Sequence, residues 1–253
     1  MNPDEPFVGI LHRQRRPIMP RILKYTLRAL LGLITMTVLW VLVYRFAPIP
    51  GTPLMLIRKI SDGTPINKTW TPLEEISPDM IVAVVAAEDA HFIEHNGFDW
   101  EQIGKAYDES QNGKRLRGAS TISQQTAKNV FLWPGRSWLR KGLETYFTAL
   151  IELLWSKERI MEVYLNCIET GEGLYGVAAV AEANFKKTPD KLTKKECALI
   201  AATLPNPRKY SSKKPSKYII KRQNAILKEM DFIRNSNLNP LQESQPKKSP
   251  SKH

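Results

Sequence analysis

The sequence predicts a mainly α-helical protein that begins with one membrane-spanning helix. Apolar residues recur at helical spacing in several segments, whereas no run alternates convincingly with a period of two. Ser77, Thr121 and Thr193 stand where helix N-caps are expected. The 16 residues from Ala29 to Tyr44 carry no charge. These observations favour a helical domain behind an apolar helix over any sheet-based fold.

The uncharged run predicts a transmembrane anchor over residues 25–47. With its flanking arginines reaching the interface, this segment is long enough to cross a bilayer. A cleaved signal peptide and a buried core helix are the alternatives, but no Ala-x-Ala cleavage site follows the run. Six Lys and Arg residues precede it, so residues 1–24 are expected to stay cytoplasmic. The remaining chain is then expected on the periplasmic side of the inner membrane.

The formal net charge of +12 is concentrated at the two ends of the chain. Residues 1–45 have a net charge of +5 and residues 205–253 of +9, whereas residues 46–204 have −2. A near-neutral central domain argues against a nucleic-acid groove. Basic ends fit an anionic membrane surface, and the Ser/Pro/Lys-rich tail over residues 235–253 is expected to be disordered.

Two cysteines, Cys167 and Cys197, lie within apolar helical patterns. We expect buried free thiols, with a disulfide as the less favoured alternative because no disulfide framework surrounds them. No Cys/His spacing resembles a zinc site.

The stretch after the anchor is rich in proline and glycine and predicts a connector. Residues 48–64 are expected to form a linker, with one extended segment at Leu54–Ile60. The main domain is expected over residues 65–234. Its helices are predicted to start near Ser77 and Asp99, then after Gly118, and to continue over 140–155, 157–168, 176–186, 193–204 and 216–234.

A carboxylate, Glu88, ends the first helix of this domain. Ile81, Val84 and Val85 share its face, so the face is apolar up to the carboxylate. Apolar surroundings and the negative end of the helix both disfavour the ionised form, which predicts a raised pKa for Glu88. Such a group suits a general base. The alternative is a helix-end glutamate that simply reaches water.

A polar stripe follows further along the chain. Thr121, Gln125 and Lys128 fall at i, i+4 and i+7 of a helix. Hydroxyl, amide and ammonium groups suit sugars and phosphates. The polar loop before them, residues 108–118, is either a mobile lid or an ordinary solvated loop.

The segment 131–139 gathers large apolar residues around Arg136, which indicates a membrane or ligand contact or, alternatively, core packing. In the next helix Glu144 lies one turn beyond Arg140 and Lys141. It is either part of a surface ion pair or a carboxylate held ionised in a cationic cluster. The face predicted to be buried in this helix consists of Leu143, Phe147, Leu150 and Leu154.

Three blocks of the sequence resemble the motifs of the peptidoglycan glycosyltransferases, glycosyltransferase family fifty-one. The blocks are Glu88-Asp89-x-x-Phe92-x-x-His95-x-Gly97-x-Asp99, Gly118-Ala119-Ser120-Thr121-Ile122-Ser123-Gln124-Gln125-x-x-Lys128-Asn129 and Arg140-Lys141-x-x-Glu144. Glu162-x-Tyr164-Leu165-Asn166 and Leu204-Pro205-Asn206-Pro207 extend the match. Ser123 stands where the family more often has threonine, and the serine keeps the hydroxyl group. The transpeptidase domain fused to some members is not expected, because it needs several hundred more residues.

The resemblance implies polymerisation of lipid II into β-1,4-linked glycan strands. The donor would be the growing glycan on undecaprenyl pyrophosphate. The acceptor would be the 4-hydroxyl of the lipid II GlcNAc, with inversion at the donor MurNAc. The resemblance also implies a lysozyme-like helical domain with a small membrane-associated jaw. Expected partners are lipid II, the nascent strand, the membrane and other cell-wall synthesis or division proteins, but not nucleic acid.

Roles in the site follow from the motif matches and from the chemistry of this reaction. Glu88 is expected to be the general base, since a sugar hydroxyl is a poor nucleophile. A pyrophosphate leaving group needs cations rather than an acid, and Lys128 and Arg136 are the candidates. Glu144 is expected to orient this cluster in catalysis or to help bind a divalent cation, Mg or Mn, with the pyrophosphate. The expected substrate-binding or supporting side chains are Asp89, Phe92, His95, Thr121, Gln125, Lys128, Arg136 and Lys141.

Two other functions compete with this interpretation. A lytic enzyme that cleaves the glycan would share the fold and a single essential glutamate. A neutral polysaccharide, however, offers no pyrophosphate for Lys128, Arg136 and Glu144 to bind. A non-catalytic anchored scaffold would need neither Glu88 nor Lys128, and both are present.

Overall fold

The structure is a computed structural model that describes residues 19–111 and 120–240, and it is mainly helical as predicted. Ten α-helices lie in these ranges: α1 (Met19–Phe46), α2 (Pro53–Asp62), α3 (Pro78–Glu88), α4 (Trp100–Gln111), α5 (Ile122–Phe131), α6 (Trp138–Leu154), α7 (Lys157–Cys167), α8 (Gly176–Val180), α9 (Lys194–Thr203) and α10 (Lys217–Arg234). Short 3₁₀ turns cover Leu73–Glu75 and Pro189–Lys191, and a π-helical turn, Ala181–Phe185, continues α8.

The first helix, α1, has the length and composition of a membrane span between Arg21 and Phe46. Its large apolar side chains, among them Leu23, Leu31 and Met36, are exposed, as expected of a helix that packs against lipid. The predicted apolar helix is thus present, and it begins six residues before residue 25. Among the described residues, those up to Trp40 and those from Val41 onward form separate units.

Helix α3 lies in the core of the second unit. All six residues from Met80 to Val85 are buried, so the helix is enclosed on every side rather than on one face. It packs against α9 and α10, while α5 packs against α6 and α7. Ser77 occupies the N-cap position and Pro78 the first turn, as predicted, but the Ser77 hydroxyl makes no capping hydrogen bond. Glu88 therefore lies at the end of a helix whose central turns are fully buried.

A small three-stranded sheet joins the connector to this core. Its strands are β1 (Asn67–Lys68), β2 (Glu169–Gly171) and β3 (Leu174–Tyr175), in the order β1-β3-β2. Strand β1 pairs in parallel with β3, with Asn67 opposite Leu174, and β2 and β3 form an antiparallel hairpin. Strands of two or three residues leave the fold helical in character.

The prediction of an extended segment at Leu54–Ile60 is wrong, because these residues belong to helix α2. The Thr52 hydroxyl accepts a hydrogen bond from the Met55 amide, and Pro53 occupies the first turn. Gly63 ends the helix in the left-handed conformation, with a φ of 64°. The proline and glycine that predict a connector thus mark the two ends of a helix. Helix α2 packs against α5, so the expected linker contains a packed element.

Three further expectations can be compared with the described part of the chain. Residues 108–111 continue helix α4 rather than starting a loop, and the rest of the expected lid lies outside the described residues. The segment 131–139 divides: Phe131 and Leu132 are buried in the core, whereas Trp138 is 92% exposed. Helix α6 faces the core with Glu144, Phe147, Thr148 and Ile151, while Leu143, Leu150 and Leu154 are only partly buried.

The remaining helices confirm the signals read from the sequence. Capping boxes join Thr121 with Gln124 and Thr193 with Glu196. Cys167 and Cys197 are free and buried, as predicted, and burial raises the pKa of each thiol to about 12. Both thiols are therefore protonated at neutral pH and serve as core packing.

Candidate active site

Two adjoining clefts share Gln125 of α5 and Pro205. The carboxylate cleft, about 580 Å³ in volume, contains Glu88 and the side chains of α4 that face it. The cationic cleft, about 340 Å³ in volume, has the charged lining residues Arg58, Lys128, Arg136, Arg140 and Glu169. Glu88 thus lies on one side of Gln125, and the cations of the second cleft lie on the other.

Glu88 lies at the C-terminal end of α3 with its carboxylate almost fully buried. Its Oε2 accepts a hydrogen bond of 2.9 Å from Gln125 Nε2. Its Oε1 is buried and makes no hydrogen bond within the described ranges. Burial raises the pKa of Glu88, while the Gln125 hydrogen bond and the charges of Arg222 and Lys128 oppose that rise. The raised pKa predicted from the sequence is confirmed, and Oε1 remains available to accept a proton.

Asp89 and His95 fasten the segment after α3 to the start of α5. His95 Nε2 lies 2.9 Å from Asp89 Oδ1, and the Ile122 amide donates to Asp89 Oδ2 at 2.9 Å. His95 Nδ1 accepts from the Gly97 amide at 3.1 Å, so the proton of the neutral ring lies on Nε2. A carboxylate at the N-terminus of α5 is also favoured by the helix dipole. Asp89 lines the carboxylate cleft, but both of its oxygens are engaged in holding the fold.

A partly buried ion pair supports the same segment from α6 and α7. Lys157 Nζ lies 2.8 Å from Glu152 Oε1, which also accepts a hydrogen bond from the Ser123 hydroxyl. Lys157 donates in addition to the His95 carbonyl and lies 4.6 Å above the ring of Phe92. Phe92 is 2% exposed, and neither it nor His95 lines either cleft. Of the two roles expected for them, substrate binding and support, their contacts favour support.

Gly97 is required because the loop after α3 approaches helix α6 closely at this residue. Its φ is +88°, and an added Cβ would lie 2.8 Å from Thr148 Cγ2 and 2.9 Å from Glu152 Cγ. The Gly97 carbonyl accepts a 2.7 Å hydrogen bond from the Thr121 hydroxyl, which also caps α5. The Thr121 hydroxyl is therefore committed to the fold, although the residue lines the carboxylate cleft.

Gly97→Ala is expected to destabilise the protein by about 2–4 kcal/mol, since left-handed backbone strain and overpacking add together. Gly104→Ala is the matched control, because Gly104 lies in α4 with no atom within 4 Å of an added Cβ. That change is expected to leave stability unchanged or raise it. Thermal unfolding of the full chain in detergent measures both, and equal midpoints for the two variants would contradict the crowding at Gly97.

Lys128 contributes a largely buried ammonium group to the cationic cleft. Burial lowers its pKa, against the charge of Glu144, which raises it. Within the described ranges Lys128 has no hydrogen bond or ion pair, and it lines the cleft one turn after Gln125. An ammonium at a cleft wall that forms no ion pair with a carboxylate of the described residues is well placed to bind an anionic ligand.

Arg136 and Arg140 add to this positive wall. Arg136 is exposed within the cleft lining, and Arg140 lies at the start of α6. Glu144, 4% exposed, accepts from Arg140 Nη1 at 3.3 Å and from Lys141 Nζ. The structure therefore favours the cationic cluster over the surface ion pair. Lys141 does not line either cleft, and its contact with the cationic wall is its ion pair with Glu144.

A protein-built metal site does not fit this arrangement. Both oxygens of Glu144 are bonded to cations, which leaves little capacity for a metal ion. Across residues 19–111 and 120–240, no group of three or more His, Cys, Asp or Glu side chains could hold one.

Sequence reasoning missed two arginines of the clefts. Arg58 lies on α2, which was expected to be extended, and its guanidinium lies 3.7 Å from Glu169 in the cationic cleft. Arg222 lies on α10 and comes within 3.8 Å of Glu88. A helix assignment for residues 53–62 could have identified Arg58. No local signal distinguishes Arg222 from the other basic residues of α10.

The arrangement can remove a proton on one side of Gln125 and stabilise negative charge on the other. A nucleophilic hydroxyl beside Glu88 Oε1 would be activated by the carboxylate. An anionic leaving group in the neighbouring cleft would be stabilised by Lys128, Arg136 and Arg140. A site of this kind suits group transfer from a phosphorylated donor to an alcohol.

A protein-family model described as Transglycosylase matches residues 55–231. Among similar proteins, one named biosynthetic peptidoglycan transglycosylase from Bacteroides thetaiotaomicron is 54% identical over 224 residues, covering 86% of this chain and 90% of that protein. Proteins of the same name are similar in Bdellovibrio bacteriovorus (53% over 209 residues, covering 81% and 84%) and in Caulobacter vibrioides (50% over 219 residues, covering 86% and 95%).

Proposed function

Because this chain belongs to the transglycosylase family, and is thereby a glycosyltransferase of peptidoglycan synthesis, we propose that it polymerises lipid II. The donor is the growing glycan on undecaprenyl pyrophosphate, and the acceptor is the 4-hydroxyl of the lipid II GlcNAc. The product is a β-1,4-linked glycan strand. The observation that supports the proposal is the buried carboxylate of Glu88 beside a cleft lined by several cations, with Gln125 between them.

Glu88 acts as the general base in this reaction. Its Oε1 takes the proton of the acceptor hydroxyl as the hydroxyl oxygen attacks the anomeric carbon of the donor MurNAc. The bond from that carbon to the pyrophosphate breaks, and attack from the opposite face turns the α linkage into β. The proton then passes from Glu88 to water. Gln125 holds the second carboxylate oxygen, so that Oε1 keeps its direction.

The cationic cleft stabilises the leaving group. A pyrophosphate is already a weak base and needs no proton donor, in contrast to the leaving group of a glycosidase. Lys128 and Arg136 contact the phosphates directly. Arg140 adds positive charge and is held by Glu144, so that Glu144 acts by orienting the wall.

A divalent cation, Mg or Mn, is part of the proposal only as a counter-ion that enters with the pyrophosphate. Its ligands are then mainly phosphate oxygens and water, since the charged groups of the cleft wall are chiefly cations. No step of the reaction depends on it here.

Incubation of the purified full chain with lipid II in detergent, with and without Mg²⁺, tests the proposed function. Glycan strands resolved by gel electrophoresis are the expected product. Shortening of preformed glycan by the same preparation would instead indicate the lytic enzyme. Folded protein that neither builds nor cleaves glycan would indicate the scaffold.

The membrane arrangement is part of the same proposal. The N-terminus is cytoplasmic, α1 crosses the inner membrane once, and the glycosyltransferase domain is periplasmic, where Trp138 and Leu139 contact the lipid surface. Protease added outside spheroplasts is then expected to digest the domain while a cytoplasmic marker protein stays intact. Protection of the domain until the membrane is lysed would contradict this orientation.

A further inference from the structure

Arg222 comes from a helix that none of the family-like motifs includes. Several contacts hold helix α10 in place against the rest of the domain. The Ser216 hydroxyl caps it, and Gln223 donates a 2.7 Å hydrogen bond to the Lys195 carbonyl of α9. Ile219 and Ile226 are buried on its inner face. Between these anchors Arg222 reaches the carboxylate cleft.

The guanidinium of Arg222 faces the carboxylate oxygen that is free to react. Arg222 Nη2 lies 3.8 Å from Glu88 Oε1, which is too long for a hydrogen bond but close for two opposite charges. Glu88 Oε1 and Arg222 Nε are both buried and have no hydrogen-bond partner in the described part of the chain. Within the same part, Glu88 is the carboxylate that Arg222 pairs with. The charge of Arg222 therefore acts on Glu88 without occupying its reactive lone pair.

Other groups around Glu88 cannot take over this function. Gln125 is neutral and bonds to the other oxygen. Asp89 and Tyr164 carry no positive charge, and the anionic Asp89 disfavours a second charge at Glu88. Lys128 lines the cationic cleft, where a bound pyrophosphate would neutralise it. Of the two cations whose charge lowers the pKa of Glu88, Arg222 is then the one that still favours an ionised Glu88 when the donor is bound.

We propose that Arg222 is a positioning residue that keeps Glu88 ionised and its Oε1 directed toward the acceptor hydroxyl. This inference rests on the proposed function, with Glu88 as the base. Burial alone would leave Glu88 protonated over a wider pH range, and a protonated carboxyl cannot accept the acceptor proton. After proton transfer the same cation faces a neutral acid, which favours loss of the proton to water and regenerates the base.

Activity as a function of pH tests the proposal with three variants of the full chain. In Arg222→Gln, the acidic limb of kcat/KM is expected to move up by about one pH unit, since an opposite charge at this distance shifts a carboxyl pKa by at least that amount when buried. On the acidic limb this is a roughly tenfold loss, and on the alkaline side the loss largely disappears. Arg222→Lys is expected to restore most of the wild-type profile. Lys221→Gln removes the same charge from the exposed neighbour and is expected to change nothing.

Three outcomes would overturn the proposal. The first is an acidic limb in Arg222→Gln that coincides with that of the wild type. The second is an unshifted limb with a raised KM, which would make Arg222 a substrate-binding residue. The third is an equal loss at every pH together with a lower unfolding midpoint, which would make its role structural. Polymer formed by the wild type in the same assay separates these failures from failure of the proposed function itself.

Discussion

Glu88→Gln is expected to lower the rate of glycan polymerisation by about a thousandfold. General base catalysis contributes factors of this order, and an amide cannot accept the proton of the acceptor hydroxyl. The variant keeps an oxygen that can accept the hydrogen bond from Gln125. It also removes a buried charge, so the fold is not expected to lose stability. Single-turnover polymerisation of lipid II measures the chemical step directly.

Glu94→Gln is the matched control for this change. Glu94 lies in the same segment, but its side chain is half exposed and paired with His91. It lines neither cleft, so polymerisation is expected to continue at close to the wild-type rate. A Glu88→Gln enzyme that retained a tenth or more of the wild-type rate would remove Glu88 from the role of base.

The wild-type rate is also expected to fall as the pH falls through the pKa of Glu88. The ionised form is the active one, and burial raises this pKa above its ordinary value of 4.5. The acidic limb is therefore expected at a higher pH than an exposed glutamate would give. In Glu88→Gln the residual rate is expected to lose this limb.

Lys128→Ala is expected to lower the rate by about a hundredfold or more, because it removes a fixed positive charge from the site where negative charge develops. The loss is expected to fall mainly on the donor. A lipid II analogue without the GlcNAc 4-hydroxyl can act only as a donor. An analogue with carbon in place of the anomeric oxygen can act only as an acceptor. Varying one analogue while the other is saturating gives separate KM values for the two substrates.

A larger rise in the donor KM than in the acceptor KM supports the role of Lys128 at the pyrophosphate, and equal rises contradict it. Lys228→Ala removes the same charge from an exposed position of α10 and is expected to leave both values unchanged. Burial lowers the pKa of Lys128, so the wild-type rate is also expected to fall with rising pH earlier than an ordinary lysine would allow.

Much of the fold could be predicted because the signals are local. Spacing of apolar residues and the capping residues identified α3, α5, α7, α9 and α10 with bounds close to those observed. The same local rules were misapplied at α2, where proline and glycine mark helix ends. For α6 the predicted face is confirmed in part: Phe147 is buried and its three leucines are partly buried against the core, whereas the buried Glu144 lies outside that face.

The sequence by itself determined the candidate base, the buried cation and the family, since each depends on residue types at fixed spacing within one segment. Glu88 was recognisable as a carboxylate on an apolar helix face, and its burial and raised pKa bear this out. Only the tertiary structure decided which oxygen of Glu88 is free and which cation faces it. Arg222 and Arg58 reach the clefts through the packing of α10 on α3 and of α2 on α5. Contacts between distant segments depend on how whole helices pack, and no local pattern encodes them.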